Sequence, residues 1–158
     1  MIKSWMVIGG IAFLVAFGGN LLLQSDDLQW FRRLQRPSWL VFERLIPLIW
    51  TVVFIGLAWS AIIIWEQEPG TLRTWLLMGL YFLVEVVTIA YTPVMCKARS
   101  LKIGTILGGT GGILCLLLAI SISPISQWAT LLLLPYILWS PVGTFVTWKM
   151  AHLNPADA

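Results

Sequence analysis

Five long apolar stretches take up most of this 158-residue chain and limit what it can fold into. Each has about 20 residues, which is the length a helix needs to cross the hydrocarbon core of a bilayer. Only 11% of the residues are charged and the mean hydropathy is +0.88, which excludes an ordinary soluble or disordered chain. We therefore expect an all-α membrane protein, a five-transmembrane-helix bundle that forms one domain over 1–158. The expected spans are 5–23, 45–65, 74–92, 103–122 and 128–150.

The basic residues are divided unevenly between the two sides that these spans define. Lys3 and Arg73 fall on the side of the N-terminus. The opposite side carries eight, namely Arg32, Arg33, Arg36, Arg44, Lys97, Arg99, Lys102 and Lys149. Because cytoplasmic flanks collect Lys and Arg, we expect the N-terminus outside and the C-terminus cytoplasmic, with a bacterial inner membrane as the default. Such residues orient the chain and contact anionic membrane lipid, so they predict no nucleic-acid partner.

The longest polar stretch, 24–44, combines charges with aromatic residues. Trp30, Phe31, Trp39 and Phe42 all lie within it, so it does not have the composition of a flexible tether. Loops of this length in compact proteins are commonly lids or binding loops. We expect 24–44 to fold back over the helix ends as a lid; the alternative is an interfacial segment whose aromatic rings lie at the headgroups.

Small residues recur at helical spacing in two of the spans. Gly104, Gly108 and Gly112 follow one another at intervals of four in the fourth span, and the first span holds Gly9, Gly10, Gly18 and Gly19. Small residues at this spacing allow another helix to approach closely. That contact could lie within the bundle or in a homodimer, and the sequence leaves both open.

Polar and aromatic side chains line one face of three spans. The third span carries Tyr81, Glu85, Thr88 and Thr92 at intervals of four, three and four, with Tyr91 beside them. The fifth span repeats this spacing with Tyr136, Trp139, Ser140, Gly143, Thr144 and Thr147, and the second offers Trp50, Phe54 and Ala58. Residues at such intervals share a helix face. If the faces converge, they enclose an aromatic cavity for a flat, mostly apolar ligand.

Glu85 is the one acidic residue in the middle of a span. A carboxylate there costs a few kcal/mol on insertion scales and usually has a role. The alternative is a neutral Glu that bonds a neighbouring hydroxyl across the bundle. Threonines in spans are weaker evidence, because their hydroxyls commonly bond the backbone of their own helix.

Residue patterns for metal binding and for common kinds of catalysis are missing from the chain. Cys96 and Cys115 form no CxxC and no Cys/His cluster, and the single histidine, His152, lies past the fifth span. A solvated interfacial His is a better interpretation than an axial haem ligand. We therefore expect no bound metal, no resident cofactor and no hydrolytic centre.

Ten tryptophans in 158 residues set this chain apart. Each buried indole N–H needs a hydrogen-bond partner, so a soluble core cannot use so many. A membrane protein can place some in the interfacial belts and others around a ligand.

The motifs that hold several of these tryptophans are similar to those of a known family. WFRRLQRPSW at 30–39, followed by WT at 50–51, resembles the W-Y-x-x-L-x-K-P-x-W…W-T signature of the tryptophan-rich sensory protein / translocator protein (TspO/MBR) family. LPYILW at 134–139 resembles its L-P-Y-x-x-W motif, and Leu153-Asn154 matches its closing L-N. The resemblance covers nearly the whole chain, in order and with five spans.

The chain departs from the family pattern at polar positions. The family motif L-N-x-x-W-S falls on 87–92, so that Thr88 replaces Asn, Tyr91 replaces Trp and Thr92 replaces Ser. Thr147 replaces a second family Asn in the fifth span. An amide both donates and accepts, whereas a hydroxyl is smaller and has one donor. The ligand preference is therefore expected to differ from that of other members.

The resemblance implies a membrane-embedded binding or sensory protein for porphyrin-like tetrapyrroles such as protoporphyrin IX or haem, with a bilin or sterol as further ligands, and a homodimer. No Lys or Arg follows Tyr136 within five residues, which argues against a sterol motif. The open alternatives are light-dependent porphyrin breakdown and a small transporter that uses Glu85. The predicted ligand contacts are Trp30, Trp39, Trp50, Phe54, Glu85, Thr88, Tyr91, Tyr136, Trp139 and Thr147.

Overall fold

The computed structural model describes residues 3–158, apart from the side chain of Asn20, and within that range the secondary structure is entirely helical. The helices are α1 (Ser4–Leu21), α2 (Ser25–Arg33), α3 (Ile46–Gln67), α4 (Leu72–Ala98), α5 (Leu101–Ile122), α6 (Gln127–Leu131) and α7 (Leu134–Leu153). Single 3-10 turns occur at Glu43–Leu45 and Pro155–Asp157. The expected all-α class is confirmed.

Four helical stretches in the described part of the chain are long and apolar enough to cross a membrane. They are Glu43–Gln67, Leu72–Ala98, Leu101–Ile122 and Gln127–Leu153. The apolar part of α1, Ser4–Gly19, is shorter than these four. The prediction of membrane-spanning helices is thus confirmed for four of the five expected stretches.

The third expected span ends later than the sequence suggested. We expected it to end at residue 92, but α4 continues through Pro93 to Ala98. The helix ends at Arg99, whose φ of 48° is left-handed. The amides of Arg99 and Ser100 then bond the carbonyls of Cys96 and Met95 at 3.2 Å, so the last carbonyls of α4 are satisfied by a left-handed cap.

The fifth expected span is not one continuous helix. It divides into α6 and α7 at residues 132–133, because Pro135 has no N–H and its ring crowds the carbonyl four residues earlier. The break frees the Ala129 carbonyl, which accepts a hydrogen bond from Ser60 Oγ of α3 at 2.7 Å. The carbonyl of Leu132 lies directly against Gly56, where a Cβ would collide with it. In an apolar surrounding, a carbonyl that is freed by a helix break needs a new hydrogen-bond donor. Helix α3 supplies this donor with Ser60, and Gly56 leaves room for the backbone at the break.

The glycine stripe of the fourth span packs inside the bundle. A Cβ at Gly108 would lie 2.8 Å from Thr144 Oγ1, and one at Gly112 would collide with Ser140 Oγ. A Cβ at Gly104 would collide with Met95 Sδ and lie 3.2 Å from Thr147. These glycines therefore let α5 approach α7 and α4. The sequence left open whether the stripe packs within the bundle or in a homodimer, and the structure places its contacts within the bundle. In α1, only Gly19 makes such a contact among the described residues, with Ile89 of α4.

Two contacts between distant parts of the chain define the two ends of the bundle. Ser4 Oγ donates to Glu66 Oε1 at 3.0 Å, so the start of α1 lies beside the end of α3. At the opposite end, the amide of Gln35 donates to Asn154 Oδ1 at 2.8 Å. The segment 24–44 and the C-terminus therefore lie at the same end, which is the grouping on which the count of basic residues was based.

Candidate functional site

A cavity of about 550 Å³ lies within the bundle, enclosed by α1, α3, α4, α5 and α7. It reaches the end of the bundle where segment 24–44 lies, since Phe31 and Leu40 of that segment belong to its lining. Seven of the ten predicted contacts line it: Trp50, Phe54, Thr88, Tyr91, Tyr136, Trp139 and Thr147. Parts of the three faces predicted from helical spacing therefore converge on one space, while Ala58, Tyr81 and Glu85 lie outside its lining.

The aromatic walls of the cavity are held by contacts between rings. Trp50 meets Tyr136 edge to face, with 6.1 Å between ring centroids and an interplanar angle of 85°. Phe54 lies 6.0 Å from Trp50 on the same face of α3. On the opposite side, Phe42 meets the Trp139 ring edge to face at 6.3 Å. Edge-to-face pairs of this kind are favourable arrangements for rings, and they fix the shape of an apolar slot.

All three tyrosines of the chain have the same hydrogen-bond pattern. Each phenol bonds a Ser or Thr hydroxyl, and that hydroxyl also bonds a backbone carbonyl: Tyr136–Thr88–Val84, Tyr91–Thr147–Gly143 and Tyr81–Ser60–Ala129. A hydroxyl has one proton, so the Ser or Thr donates to the carbonyl and the tyrosine donates to the Ser or Thr. Thr88 and Tyr136 line the cavity at an O···O distance of 2.5 Å. Their donors are thus already used within the protein.

Two other polar groups in the cavity wall have no partner among the described residues. Trp139 Nε1 and Thr144 Oγ1 are buried without a hydrogen bond, and both residues line the cavity. An indole N–H is only a donor, and a hydroxyl can donate or accept. Leaving such groups unpaired is unfavourable, so this side of α7 offers a place for a ligand atom that accepts hydrogen bonds.

Three of the predicted contacts lie outside the cavity lining. Trp30 is only 2% exposed, but its Nε1 donates to Asp157 Oδ1 at 2.7 Å. Trp39 is 41% exposed and stacks on Phe145 at 5.9 Å. Glu85 is buried on α4 outside the lining, and its Oε1 has no partner in the described part of the chain.

Two arginines of segment 24–44, Arg33 and Arg36, hold this segment in place. Arg33 pairs with Asp157 at 3.1 Å. Arg36 pairs with Glu43 at 2.8 Å and donates to the carbonyls of Phe31 and Leu34 at 3.2 and 2.7 Å. Both guanidinium groups therefore already have partners within the protein.

The carboxyl of Asp157 is stabilised in its charged form. The indole N–H of Trp30 donates to it, and the Arg33 guanidinium lies beside it; together they hold the pKa of Asp157 below its usual range. Hydrogen bonds and opposite charges both favour a carboxylate. The C-terminal turn is thus attached to α2 by a charged contact.

Asn154 makes a second attachment between the C-terminus and segment 24–44. Its Oδ1 accepts from the Gln35 amide at 2.8 Å, and its Nδ2 donates to the Gln35 carbonyl at 2.9 Å and to the Met150 carbonyl at 2.8 Å. One side chain thus pairs with both backbone groups of Gln35, as a neighbouring strand would.

Several lining residues were not predicted from the sequence. Phe31 and Leu40 come from segment 24–44, Gly19 and Ile89 from the contact of α1 with α4, and Gly108 from α5. The small-residue stripe was a signal for Gly108. No comparable pattern marks Ile89, which is one of many apolar residues in α4.

Metal ligands are not clustered in the part of the chain that the structure describes. Residues 3–158 contain no group of three or more His, Cys, Asp or Glu side chains placed to hold an ion. Cys96 and Cys115 are both buried and unbridged.

Comparisons with known proteins identify the family to which this chain belongs. The model of the TspO/MBR family matches residues 7–153. The chain is 27% identical to "Tryptophan-rich protein TspO" of Bacillus cereus over 158 residues, which cover 98% of this chain and 99% of the relative. It is 23% identical to "Translocator protein" of Homo sapiens, covering 96% and 94%, and 22% identical to "Tryptophan-rich protein TspO" of Chlorobaculum tepidum, covering 92% of each. The resemblance read from the motifs is confirmed: the chain belongs to the TspO/MBR family and is a multi-pass integral membrane protein.

Proposed function

We propose that this protein binds a porphyrin-like tetrapyrrole in its cavity and acts as a membrane-embedded binding or sensory protein. The observation that carries the proposal is the aromatic cavity of about 550 Å³ inside the bundle. That volume lies in the range of sites for small molecules, about 300–1,000 Å³. The walls supplied by Trp50, Phe54, Tyr136 and Trp139 suit a flat ring system, since each aromatic contact adds roughly 0.5–1.5 kcal/mol beyond its burial.

The unpartnered groups on α7 support a ligand with hydrogen-bond acceptors at its edge. Trp139 Nε1 and Thr144 Oγ1 can each donate to a ring nitrogen or to an oxygen of a side group. A purely apolar ligand would leave both groups unpaired, which is unfavourable. Propionate groups, if present, are not assigned to Arg33 or Arg36, because both already pair with carboxylates.

Segment 24–44 is proposed to act as the lid of this cavity. Phe31 and Leu40 contribute to the lining, while Gln35 is attached to Asn154 and Trp30 to Asp157. A ligand entering from this end of the bundle would have to release those attachments. The lid then controls the rates of binding and release more than the affinity.

The finer membrane arrangement is also a proposal. Helix α1 has 18 residues without a charged side chain, and at 1.5 Å per residue it is about 27 Å long. That length nearly matches a hydrocarbon core of about 30 Å, so we propose α1 as the fifth span. The two-to-eight split of basic residues supports an external N-terminus and a cytoplasmic C-terminus in a bacterial inner membrane. The homodimer stays a prediction from the family.

The test is a titration of the protein in detergent with protoporphyrin IX in the dark, followed by tryptophan fluorescence. We expect saturable quenching at micromolar ligand. The midpoint should shift to higher concentration in Trp50→Phe and Trp139→Phe. Trp128→Phe is the matched control, since Trp128 is 75% exposed and lies outside the lining.

The midpoint is the quantity to compare, because each substitution also removes one fluorophore. Equal shifts in all three variants would contradict the proposal. Saturable binding in Thr88→Asn but not in wild type would mean that the altered polar residues have moved the cavity to another ligand, and the porphyrin assignment would be withdrawn.

A further inference from the structure

A second concave surface lies on the outside of the bundle, between α5 and α7. This groove has a volume of about 600 Å³ and no charged residue in its lining. Its floor and walls include Gly109, Gly112 and Leu116 of α5 and Ile137, Phe145 and Trp148 of α7. It is separate from the inner cavity, although Ser140 and Thr144 contribute to the walls of both.

The groove is open at Gly109, because no side chain of a neighbouring helix fills the space above this glycine. A Cβ added at Gly109 would meet nothing within 4 Å among the described residues, whereas one at Gly112 would collide with Ser140 Oγ. Gly112 thus brings the helices together, and Gly109 leaves space beside that contact. An elongated apolar group can lie in this space without moving the helices.

The length of the groove corresponds to one leaflet of a bilayer. Along α5 it extends from Thr105 to Leu116, and along α7 from Ile137 to Trp148. Eleven residue steps at 1.5 Å give about 17 Å, close to half of a hydrocarbon core of about 30 Å.

The polar end of the groove is positively charged. Lys102 lies three residues before Thr105 on the same face of α5, and its side chain is exposed. It forms no ion pair with any described residue. On the facing helix, Trp148 is 44% exposed and lies 4.2 Å from the ring of His152, as expected for a residue at the headgroup level.

We propose that this groove binds one acyl chain of an anionic phospholipid, from the leaflet on the side of the C-terminus, with the lipid phosphate at Lys102. The apolar lining fits the chain, the length fits one leaflet, and the exposed Lys102 at the end fits the headgroup charge. The proposal does not depend on what the inner cavity binds.

Native mass spectrometry of the delipidated protein, with phosphatidylglycerol or phosphatidylcholine added, tests the proposal. We expect wild type to retain phosphatidylglycerol in preference to phosphatidylcholine. Gly109→Leu fills the groove and should lose both lipids. Lys102→Ala should lower phosphatidylglycerol retention about fivefold, because one basic residue near anionic headgroups contributes ~1 kcal/mol. It should lower phosphatidylcholine retention less, because the choline group already neutralises the phosphate of that lipid.

Matched controls exist for both substitutions. Gly79→Leu adds a side chain at another glycine with open space around it, and Lys97→Ala removes another exposed lysine at the same end of the bundle. Both should retain lipid as wild type does. The far-UV circular dichroism spectrum of Gly109→Leu should also match that of wild type, since a Cβ at Gly109 meets open space; that result shows that the variant is folded.

Three outcomes would overturn the proposal. One is wild-type retention of phosphatidylglycerol by Gly109→Leu. Another is equal loss in Gly79→Leu or Lys97→Ala. The third is a change from dimer to monomer in Gly109→Leu with lipid retention unaltered, which would assign the groove to a second copy of this chain.

Discussion

Tyr91 of α4 and Thr147 of α7 share a hydrogen bond between their side-chain hydroxyls in the cavity wall. These are two of the positions at which this chain differs from the family motifs, where the resemblance places Trp and Asn. Thr147 also donates to the Gly143 carbonyl at 3.1 Å, so the proton of the shared bond comes from Tyr91. The two departures are therefore one coupled pair, and neither hydroxyl has a free donor for a ligand.

In a double-mutant cycle on this pair, the two single substitutions should lower the free energy of unfolding by different amounts. Thr147→Val leaves the Tyr91 hydroxyl without an acceptor and should lower the free energy of unfolding by about 1 kcal/mol. Tyr91→Phe leaves Thr147 bonded to Gly143 and should cost only about 0.5 kcal/mol, near the average for hydrogen bonds between membrane helices. The measurement is reversible unfolding in mixed micelles. Equal single effects that add in the double variant would contradict the assigned direction of donation.

Neighbouring glycines of α5 should respond in opposite ways to alanine. A methyl group at Gly108 would lie 2.8 Å from Thr144 Oγ1, whereas one at Gly109 meets open space. Overpacking costs roughly 1–3 kcal/mol, and replacing Gly by Ala in a helix gains at most about 1 kcal/mol. Gly108→Ala should therefore lower the melting temperature and Gly109→Ala should raise it or leave it unchanged. Similar shifts in both would argue against the packing of α5 on α7 described above.

Asn154 should control how fast ligand leaves the cavity. Asn154→Ala removes both hydrogen bonds to Gln35, which together contribute on the order of 1.4 kcal/mol, or tenfold in rate. Stopped-flow dissociation of protoporphyrin IX should be faster by about that factor. Asn154→Asp keeps an acceptor for the Gln35 amide and should give an intermediate rate. An unchanged rate in Asn154→Ala would mean that segment 24–44 is not the lid.

Acid should release the C-terminal turn from α2. The pKa of Asp157 is lowered in the folded protein by the Trp30 N–H and by Arg33. A lowered pKa contributes stability that is present above the usual carboxyl range and is lost as the pH falls through the lowered value. The melting temperature of wild type should therefore fall in acid more steeply than that of Asp157→Asn. Asp26→Asn, at an exposed site in α2, should keep the wild-type slope; identical profiles for all three proteins would contradict this role.

The length of the apolar stretches predicted four membrane-spanning helices, and helical spacing predicted most of the aromatic and polar residues that meet in the cavity. Thr88 and Tyr91 on α4 and Tyr136, Trp139 and Thr147 on α7 line the same space because their spacing places them on one side of each helix. The spans were located to within a few residues, except where α4 continues through Pro93. Helix α4 contains Pro93 and ends in a left-handed cap at Arg99.

What sequence reasoning missed depends on partners that are far apart in the chain. Trp30 was expected in the ligand site, yet its indole donates to Asp157, 127 residues later. Pro135 marks a break, but the residue that satisfies the freed carbonyl is Ser60, on another helix. Neither partner follows from local spacing, because a motif specifies which residues are present and not which way each side chain points.

The most direct test of the central claim is to fill the cavity from within. Gly143 lines it, and a Cβ there would lie 3.6 Å from Trp139 Nε1, an ordinary contact. Gly143→Leu should therefore fold but occupy the space beside Trp139, and Gly109→Leu, on the outer groove, is its control. In a dark titration with protoporphyrin IX, we expect saturable quenching in wild type and Gly109→Leu and none in Gly143→Leu. Saturable quenching in Gly143→Leu with the wild-type midpoint would show that the tetrapyrrole does not bind in this cavity.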